Sequence, residues 1–483
     1  MLEAFEGYWP YIVALASGVI GITAAIHAAM TKEDPRAAIA WVGVILLSPF
    51  IGAGLYLLAG INRIRRVSIG NKRFRAESRH HRSVKRGGKN ESTRLVPAEP
   101  RFESMKVLGD RVSPFPLTGG NRIEPLVGGD AAYPEMLAAI SGARRHVALS
   151  SYIFDNDALG RQFAEALVDA HLRGVAVRVL VDAVGVRYSR PSILGPLRDG
   201  GVAVELFLGG PLGFRLPYAN LRNHRKIMVV DGETGFTGGM NIRSGFKSEF
   251  AGAAVDRDMH FCVRGPVVEQ LLAVFADDWA FTSGETLEGE AWQSGSARPT
   301  GKSTARCVVS GPDSHLAATH TMIMGAISVA RRRIAICSPY FLPDQQLIGA
   351  IGVAARRGVD VDIIIPAANN LRLVDFAMTA QLEQVIAAGC RVWRSRGTFD
   401  HAKLMTLDGQ WAYLGSSNLD PRSLRLNFEL DMEVFDAELV ARLDEHIGAR
   451  MSNAWQETQQ TLRARPFWKR LRNRIVWLAS PYL

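Results

Sequence analysis

The hydrophobic positions at the start of the chain form two long, uncharged stretches. These stretches lie at residues 8–30 and 37–60, and neither contains Lys, Arg, Asp or Glu. Each exceeds the ~20 residues that a helix needs to cross the hydrocarbon core of a membrane. We therefore predict two transmembrane helices within residues 1–60, joined as a hairpin by the short link at residues 31–36. A pair of buried helices in a soluble protein is the alternative, and a signal peptide fits the acidic start poorly.

Beyond these stretches, short β-rich runs alternate with amphipathic helical segments, and the pattern occurs twice. Three pairs of segments align: 146–157 with 333–344, 164–182 with 351–366, and 200–207 with 388–395. Each copy has the pattern strand, amphipathic helix, strand and further strand. This alternation predicts an α/β fold in which helices cover a central sheet. The duplication predicts two pseudo-twofold-related lobes at residues 111–300 and 301–483, preceded by a linker at residues 61–110.

Composition and charge narrow the class of protein. A chain of 483 residues is too long for one ordinary core, and 47% hydrophobic against 22% charged residues excludes a disordered chain. The net charge is +10, but residues 62–90 alone hold eleven Lys and Arg against one Glu, which leaves 46 basic and 46 acidic residues elsewhere. A neutral catalytic region argues against nucleic acid as a partner.

The basic run beside the second apolar stretch predicts orientation. Such a run stays on the cytoplasmic side of a membrane and is attracted to anionic lipid headgroups. We therefore expect the catalytic region to be cytoplasmic, although a solvated linker is also compatible with this composition. The cysteines are scattered without CxxC spacing, which is typical of core residues in a reduced compartment. They are Cys262, Cys307, Cys337 and Cys390.

The end of the chain carries a second membrane signal. Six Lys and Arg lie between residues 463 and 474, and large hydrophobic residues recur among them at helical spacing. The hydrophobic residues are Phe467, Trp468, Leu471, Ile475 and Leu478. This pattern suits a helix lying in the lipid headgroup region. A helix packed on the second lobe is the alternative.

The repeat ends in a motif that carries chemistry. Both copies read H-x-K-x4-D and continue six residues later as G-[GS]-x-N. The first copy contains His224, Lys226, Asp231, Gly239 and Asn241, and the second contains His401, Lys403, Asp408, Ser416 and Asn418. Alternation predicts a strand on which each histidine and lysine point to one face. The following glycines would let backbone N–H groups approach an anion.

These residue types fit displacement at a phosphodiester. A neutral imidazole can attack phosphorus and form a phosphohistidine, while a second, protonated imidazole gives a proton to the departing alkoxide. Two lysines would stabilise the non-bridging oxygens. One half-site holds only half of this set, so we predict a single site shared by both copies. We assign His224 as nucleophile and His401 as general acid, although the sequence does not separate the two roles.

Candidate orienting groups occur at the same offset in each copy. Segments 256–263 and 427–434 align without a gap and place Asp258 opposite Glu429. We expect each carboxylate to orient the histidine of its own lobe. Asp231 and Asp408 belong to the motif, but their strand-face parity also fits a structural role.

At these residues the chain resembles the phospholipase D superfamily. The two N-terminal spans, the basic stretch and the final SPYL resemble the bacterial cardiolipin synthases within it, and the resemblance covers essentially the whole chain. It implies transfer of a phosphatidyl group between two phosphatidylglycerol molecules in the bacterial cell membrane, giving cardiolipin and glycerol without metal or other cofactor. Gly239 departs from Ser416 of the second copy, so the first lobe lacks one hydroxyl donor.

Several alternatives stay open. A lipid hydrolase and a transferase using another alcohol, such as phosphatidylethanolamine, share this chemistry. A membrane-bound nuclease is more remote, and a non-enzymatic scaffold gives no reason for two intact motifs. A metal site is disfavoured because the lysine between His and Asp would repel a cation. We interpret Tyr152 and Tyr340, at equivalent repeat positions, as core residues rather than site lining; the oligomeric state is not indicated.

Overall fold

The chain folds into two units, at Met1–Arg65 and Arg66–Leu483. The computed structural model describes residues 2–32, 34–60, 73, 99–209, 220–292, 298–313 and 315–480. Most of the predicted linker, at residues 61–98, lies outside the described residues.

The N-terminal unit contains one helix long and apolar enough to cross a membrane. That segment is Tyr8–Thr31, within helix α1 (Leu2–Thr31). The second apolar stretch differs from the single continuous helix that we predicted. It forms α2 (Pro35–Leu47) and α3 (Pro49–Leu55), followed by a π-helical turn at Tyr56–Gly60. The break falls at Ser48 because the proline after it has no N–H and its ring clashes with the preceding turn.

Polar side chains join the two arms of this unit. Tyr56 is buried, and its hydroxyl lies 2.8 Å from Nδ1 of His27 and 3.2 Å from Oγ1 of Thr31. The ring of Trp41 packs edge-on against Tyr56 at a centroid distance of 5.3 Å. Ala28 and Ile45 complete a small buried cluster. The first and second apolar stretches therefore pack on each other, as a hairpin requires.

The second unit is built on one continuous sheet that contains both repeats. The first repeat contributes β1 (Thr118–Val127), β2 (His146–Ser151), β3 (Ala176–Asp182), β4 (Ala203–Phe207), β5 (Arg222–Asn223), β6 (Ile227–Val230), β7 (Thr234–Gly238) and β8 (Met259–Arg264). The second contributes β9 (Ser303–Ser310), β10 (Arg333–Cys337), β11 (Asp360–Pro366), β12 (Arg391–Ser395), β13 (Leu404–Leu407), β14 (Trp411–Gly415), β15 (Asn427–Phe435) and β16 (Ala454–Glu457).

The strand order reveals the predicted pseudo-twofold relation. The first lobe runs β1-β8-β7-β6-β2-β3-β4, and the second runs β9-β15-β14-β13-β10-β11-β12, with β16 at its edge. The lobes meet where β1 and β9 pair antiparallel. The β2-β3-β4 and β10-β11-β12 ladders are parallel. Helices cover such ladders, so their strands are largely buried, as in residues 361–366 of β11.

Helices pack on both lobes. They are α4 (Pro100–Val112), α5 (Gly128–Gly142), α6 (Ala158–Leu172), α7 (Leu194–Asp199), α8 (Ser248–Ala251), α9 (Val268–Ser283), α10 (Ala318–Val329), α11 (Gln345–Arg356), α12 (Arg372–Ala387), α13 (Pro421–Arg425), α14 (Ala437–Ser452), α15 (Gln459–Arg463) and α16 (Phe467–Leu478). Short 3₁₀ turns lie at Gly185–Tyr188, Ser244–Phe246, Gly252–Ala254 and Glu290–Trp292.

Two of these helices bear on our predictions. Residues 100–110, predicted as linker, instead form most of α4, whose Phe102 and Met105 are buried in the second lobe's core. The linker prediction is wrong there, because an apolar stripe needs a surface to cover. At the other end of the chain, α16 packs against α12 through Val476 and Trp477. The alternative of a tail packed on the second lobe is therefore confirmed for one face of that helix.

Each lobe has its own apolar core. The first centres on residues such as Phe163, Val179 and Met228, and the second on residues such as Ile363 and Trp411. The four cysteines are buried and unpaired, as expected of core residues. Burial raises the pKa of the Cys262 thiol to about 11, so the thiol stays protonated and unreactive.

Candidate active site

The two motif histidines lie where the lobes meet. His224 and Lys226 come directly before β6, and His401 and Lys403 directly before β13, rather than on the strands as predicted. The reason is that the backbone here bonds across the lobes. The N–H of His224 donates to the carbonyl of Phe428 over 2.9 Å, and that of His401 donates to the carbonyl of Arg257 over 2.7 Å.

A carboxylate from the opposite lobe orients each histidine. Nδ1 of His224 lies 2.9 Å from Oε2 of Glu429, and Nδ1 of His401 lies 2.9 Å from Oδ2 of Asp258. The predicted residues are correctly paired with imidazoles, but the own-lobe assignment is wrong. The pseudo-twofold axis passes between the lobes and brings the start of β15 beside β5, so each carboxylate reaches across. Engaging Nδ1 leaves Nε2 as the nitrogen available for chemistry.

The two lysines carry the positive charge of the site. Both are buried, and Nζ of Lys226 and Lys403 each donates over 2.5 Å to the backbone carbonyl of the histidine two residues before it. Burial lowers the pKa of Lys226 to about 7 and that of Lys403 to about 8. The carboxylates of Glu429 and Asp258 oppose this shift in both lysines. Each half-site therefore acts electrostatically on the other, as one shared site requires.

The same surroundings favour neutral imidazoles. Burial, followed by the charges of Lys226 and Lys403, lowers the pKa of His224 well below its ordinary value. Burial and Lys403 lower the pKa of His401 to about 4, although the hydrogen bond and charge of Asp258 act in the opposite direction. A bound phosphodiester would add a negative charge and favour the protonated forms.

Gly239 and Ser416 make the two half-sites unequal in a specific way. Oγ of Ser416 donates over 2.6 Å to Oε2 of Glu429, so this hydroxyl supports a carboxylate. At the equivalent position in the first lobe, a Cβ on Gly239 would lie 2.5 Å from Oδ1 of Asp258. The longer carboxylate accompanies the serine, and the shorter one accompanies the glycine. The difference between Gly239 and Ser416 therefore accommodates carboxylate side chains of different length. The sequence alone did not indicate this relation.

The motif asparagines hold loops in place. Oδ1 of Asn241 accepts from the N–H of Ile153 over 3.1 Å, in the loop that carries Tyr152. Nδ2 of Asn418 donates over 3.3 Å to Oγ of Ser423, while its buried Oδ1 has no hydrogen-bond partner among the described residues. These contacts give both asparagines a supporting position beside the site.

Asp231 and Asp408 lie outside the site, at the far ends of β6 and β13. Both adopt positive φ, near +56° and +53°, and their carboxylates accept backbone N–H groups. Asp231 binds the N–H groups of residues 144–146, and Asp408 those of residues 331–333. Their inclusion among the catalytic residues is therefore corrected. They lock the turn after the motif strand to the start of β2 or β10.

Aromatic rings flank both histidines, contrary to the interpretation of Tyr152 and Tyr340 as core residues alone. The Tyr152 ring lies 5.2 Å from that of His224, and Nζ of Lys226 lies 5.5 Å from the Tyr152 centroid. The Tyr340 ring lies 6.2 Å from that of His401. The equivalent positions of the two tyrosines in the repeat could have indicated a role at the site. Periodicity did not distinguish residues that line the site from residues that pack in the core.

An ion-pair network holds the backbone beside His224. The sequence did not predict this network. The neighbouring Arg225 is buried, bonds both carboxylate oxygens of Asp278 at 2.6 and 2.7 Å, and donates from Nε to the carbonyl of Glu429. Arg73 reaches the same Asp278 at 2.6 Å. The second copy has alanine at the position of Arg225, so the repeat gave no signal for this anchor.

Within the described ranges, no group of three or more His, Cys, Asp or Glu side chains is placed to hold a metal ion. The cationic groups of the site are lysine side chains, which suit a bound phosphate oxyanion. The arrangement therefore combines two imidazoles, two orienting carboxylates and two ammonium groups, and both lysines act electrostatically on both imidazoles.

Comparison with known proteins agrees with this constellation. A family model described as cardiolipin synthase, phospholipase D-like domain, matches residues 136–279 and 323–451. A model described as phospholipase D-nuclease N-terminal matches residues 19–60. Among solved structures, phosphatidylserine synthase from Haemophilus influenzae superposes with a TM-score of 0.61 at 15% identity, covering 79% of this chain and 100% of that one. This likeness demonstrates the shared fold.

Relatives of similar length match nearly the whole chain. The cardiolipin synthase of Alkalihalophilus pseudofirmus is 31% identical over 453 residues, covering 94% of this chain and 90% of the relative. Cardiolipin synthase A of Pseudomonas putida is 31% identical over 481 residues, covering 98% and 99%. The predicted two-lobed α/β fold and phosphatidyltransferase class are therefore confirmed. The chain belongs to the cardiolipin synthase family of phospholipase D-like enzymes.

Proposed function

We propose that this enzyme transfers a phosphatidyl group from one phosphatidylglycerol to a second, giving cardiolipin and glycerol. The observation that carries the proposal is the cross-lobe site, in which His224 and His401 each use Nδ1 to bond a buried carboxylate. Each ring thereby leaves Nε2 for chemistry, and both buried lysines act electrostatically on both rings. The names of the relatives, which are cardiolipin synthases, support cardiolipin as the product.

In the first half-reaction, Nε2 of His224 attacks the phosphorus of the donor lipid. The bond from phosphorus to the glycerol headgroup breaks, and protonated His401 gives its proton to the departing glycerol oxygen. Lys226 and Lys403 stabilise the non-bridging oxygens while charge shifts toward the leaving group. The products are free glycerol and a phosphatidyl group bound to His224.

In the second half-reaction, His401 is neutral and acts as the base. It removes the proton from a headgroup hydroxyl of the second phosphatidylglycerol, whose oxygen attacks the same phosphorus. The phosphorus–nitrogen bond to His224 breaks, cardiolipin leaves, and His401 is again protonated. If water took the place of this hydroxyl, the product would be phosphatidic acid.

The different carboxylates support this division of roles. Asp258 opposes the lowering of the pKa of His401 through a hydrogen bond and its charge, which favours protonation of the acid. Glu429 also accepts from Ser416 and Asn427, so part of its charge is already satisfied. Burial raises the pKa of Glu429 as well. His224 is therefore the ring better suited to stay neutral and attack.

We also propose that the N-terminal unit crosses the membrane as a hairpin and leaves the catalytic unit in the cytoplasm. α1 is long enough to span, and the packing of Tyr56 against His27 supports a return path through α2 and α3. The excess of basic residues at 62–90 supports the cytoplasmic side. Accessibility of an introduced cysteine at exposed Leu172 to an impermeant reagent, in intact cells and in lysed cells, tests the orientation.

The principal test uses vesicles of phosphatidylglycerol with purified full-length enzyme, and products resolved by mass. Cardiolipin together with equimolar glycerol is the expected result. His224→Ala and His401→Ala should each lower turnover by at least about a hundredfold, because each removes an acid–base or nucleophilic group. Phosphatidic acid as the main product would instead indicate a hydrolase, and near-normal turnover in either variant would exclude the shared-site mechanism.

A donor with a p-nitrophenyl leaving group separates the two roles. Nitrophenolate departs without needing a proton, so His401→Ala should still release it in a burst and accumulate phosphorylated His224. His224→Ala should release none above background. The reverse pattern, with the covalent group on residue 401, would exchange the assignments of nucleophile and acid.

A further inference from the structure

Helix α16 exposes a large apolar face although it is docked on the second lobe. Asn473, Val476 and Trp477 face the lobe. On the opposite side, Phe467 is 64% exposed, Trp468 75%, Ile475 58% and Leu478 72%. At about 100° per residue, these side chains and Leu471 fall within an arc of about 100°. Docking on the lobe therefore leaves the hydrophobic face uncovered among the described residues.

Basic side chains border this exposed face on both sides. Residues 463–480 contain six Lys and Arg and no Asp or Glu. The helical positions place Arg472 along one edge of the apolar arc, with Arg470 and Arg474 along the other. Within the described part of the chain, Lys469 and Arg470 make no salt bridge, so their charges are not neutralised by a neighbouring carboxylate.

A groove with a mostly basic lining adjoins the same helix. Its volume is about 410 Å³, and it lies between α12, α15 and α16. Arg463, Arg465, Arg470 and Arg474 line it with a single carboxylate, Glu383. Glu383 bonds Arg474 at 2.8 Å and Arg463 at 3.3 Å, which holds two guanidinium groups at the groove wall. The apolar base includes Leu462 and Phe467.

We propose that α16 and this groove form a second lipid-binding surface, separate from the active site, which binds the face of an anionic phospholipid bilayer. The exposed aromatic and aliphatic side chains enter the boundary between headgroups and acyl chains. The groove arginines bind lipid phosphates, for which guanidinium geometry is suited. Charge complementarity favours an anionic partner, since a neutral surface would leave the charges of Lys469 and Arg470 uncompensated. The exposed apolar arc between the basic edges matches a bilayer, in which anionic headgroups lie directly above acyl chains.

A fluorescent label on the exposed face tests the proposal in the full-length enzyme. The native cysteines are buried, so Ile475→Cys can be labelled selectively with an environment-sensitive dye. The enzyme is reconstituted in phosphatidylcholine vesicles with or without phosphatidylserine, an anionic lipid that is not the proposed donor. Quenching by a nitroxide on the lipid acyl chain should be strong at residue 475 only when phosphatidylserine is present. Leu172→Cys, exposed on the first lobe, is the matched control.

Charge variants provide the second readout. Arg470→Gln should shift the equilibrium between bilayer-bound and unbound α16 by about fivefold toward the unbound state. This is the effect expected for one cation at an anionic surface. Arg198→Gln, which removes an exposed charge from the first lobe, should leave quenching at residue 475 unchanged. Added salt should also reduce quenching.

The proposal is overturned if quenching at residue 475 does not exceed that at residue 172, or if it is equal in neutral and anionic vesicles. The first result would mean that α16 does not contact the bilayer. Because the label reports lipid contact rather than turnover, these outcomes are independent of whether the enzyme makes cardiolipin.

Discussion

At the residue scale, two lysines control the charge of the site. Burial brings the pKa of Lys226 to about 7 and that of Lys403 to about 8. An ordinary lysine stays charged over the whole physiological range, whereas these two titrate within it. A bound phosphate oxyanion stabilises both ammonium groups, so substrate binding and lysine protonation are coupled.

Sulfate binding should therefore weaken as pH rises. A lysine loses its charge above its pKa, so both are mostly charged near about pH 6 and mostly neutral near about pH 9. Sulfate keeps a constant charge across this interval. We expect its affinity, measured by calorimetry on detergent-solubilised enzyme, to fall on the order of tenfold or more.

Lys403→Met is the informative variant for this prediction. It should bind sulfate more weakly at the lower pH and lose the part of the pH dependence that belongs to the higher pKa. Arg198→Gln, remote from the site, should reproduce the parent curve. An affinity that stayed constant or rose with pH would contradict the assignment of the lysines as the anion-binding groups.

The motif residues could be predicted from the sequence, but the carboxylates that bond the two histidines could be predicted only in part. A repeated H-x-K marks His224 and His401 because their chemistry requires both in one site. Equal offsets identified Asp258 and Glu429 as orienting carboxylates. The offset carries no information on whether a loop stays in its lobe or crosses the pseudo-twofold axis, so the cross-lobe exchange appears only in three dimensions.

At the element scale, the carboxylate of Asp408 holds the end of β13, the strand that follows the second motif histidine and lysine. Asp408 adopts positive φ at the end of β13 and accepts three successive N–H groups at the start of β10. Arg101 of α4 adds a salt bridge to the same carboxylate. The turn thus joins the motif strand, the neighbouring strand and a helix that precedes both lobes.

Asp408→Ala should destabilise the fold without impairing the chemistry. It leaves partly buried N–H groups without acceptors, and we expect a loss of about 2–4 kcal/mol in the free energy of unfolding, measured by denaturant titration. Turnover per folded molecule should stay close to the parent value. Asp408→Asn, which tolerates positive φ and keeps one acceptor oxygen, should lose less. Unchanged stability with a large loss of turnover would restore a catalytic role.

Two helical segments differ from what the local sequence pattern predicted. The hydropathy of the second apolar stretch predicted one continuous membrane-spanning helix, because mean hydropathy does not register a single proline. The missing N–H of Pro49 ends α2. Residues 100–110 follow a basic, Gly-containing segment and were predicted as linker. Their apolar positions, including Phe102 and Met105, are buried by α10 and its neighbours. That burial depends on partners more than 200 positions away.

At the scale of the whole molecule, the two lobes form one sheet and one site within a single chain. β1 and β9 join the halves, and neither histidine keeps its carboxylate if the lobes separate. A mixture of His224→Ala and His401→Ala enzymes should therefore show no activity above that of the separate variants. Reconstitution of the two together, followed by the cardiolipin assay, checks this.

Recovered activity in that mixture would mean that sites form between chains by exchange of lobes. The parent enzyme mixed with either variant provides the control, and its activity should fall only in proportion to dilution. The comparison thus distinguishes an intact site in each chain from a site assembled between two chains.

The cross-lobe hydrogen bonds also determine when activity appears during synthesis. His224 and Glu429 are separated by 205 positions, so a ribosome adds the proposed nucleophile long before the carboxylate that bonds it. Throughout that interval the N-terminal apolar helix, which is long enough to cross a membrane, has already been synthesised. A half-made chain therefore holds no assembled pair of histidine and carboxylate. Phosphodiester chemistry begins only once translation has delivered the second lobe.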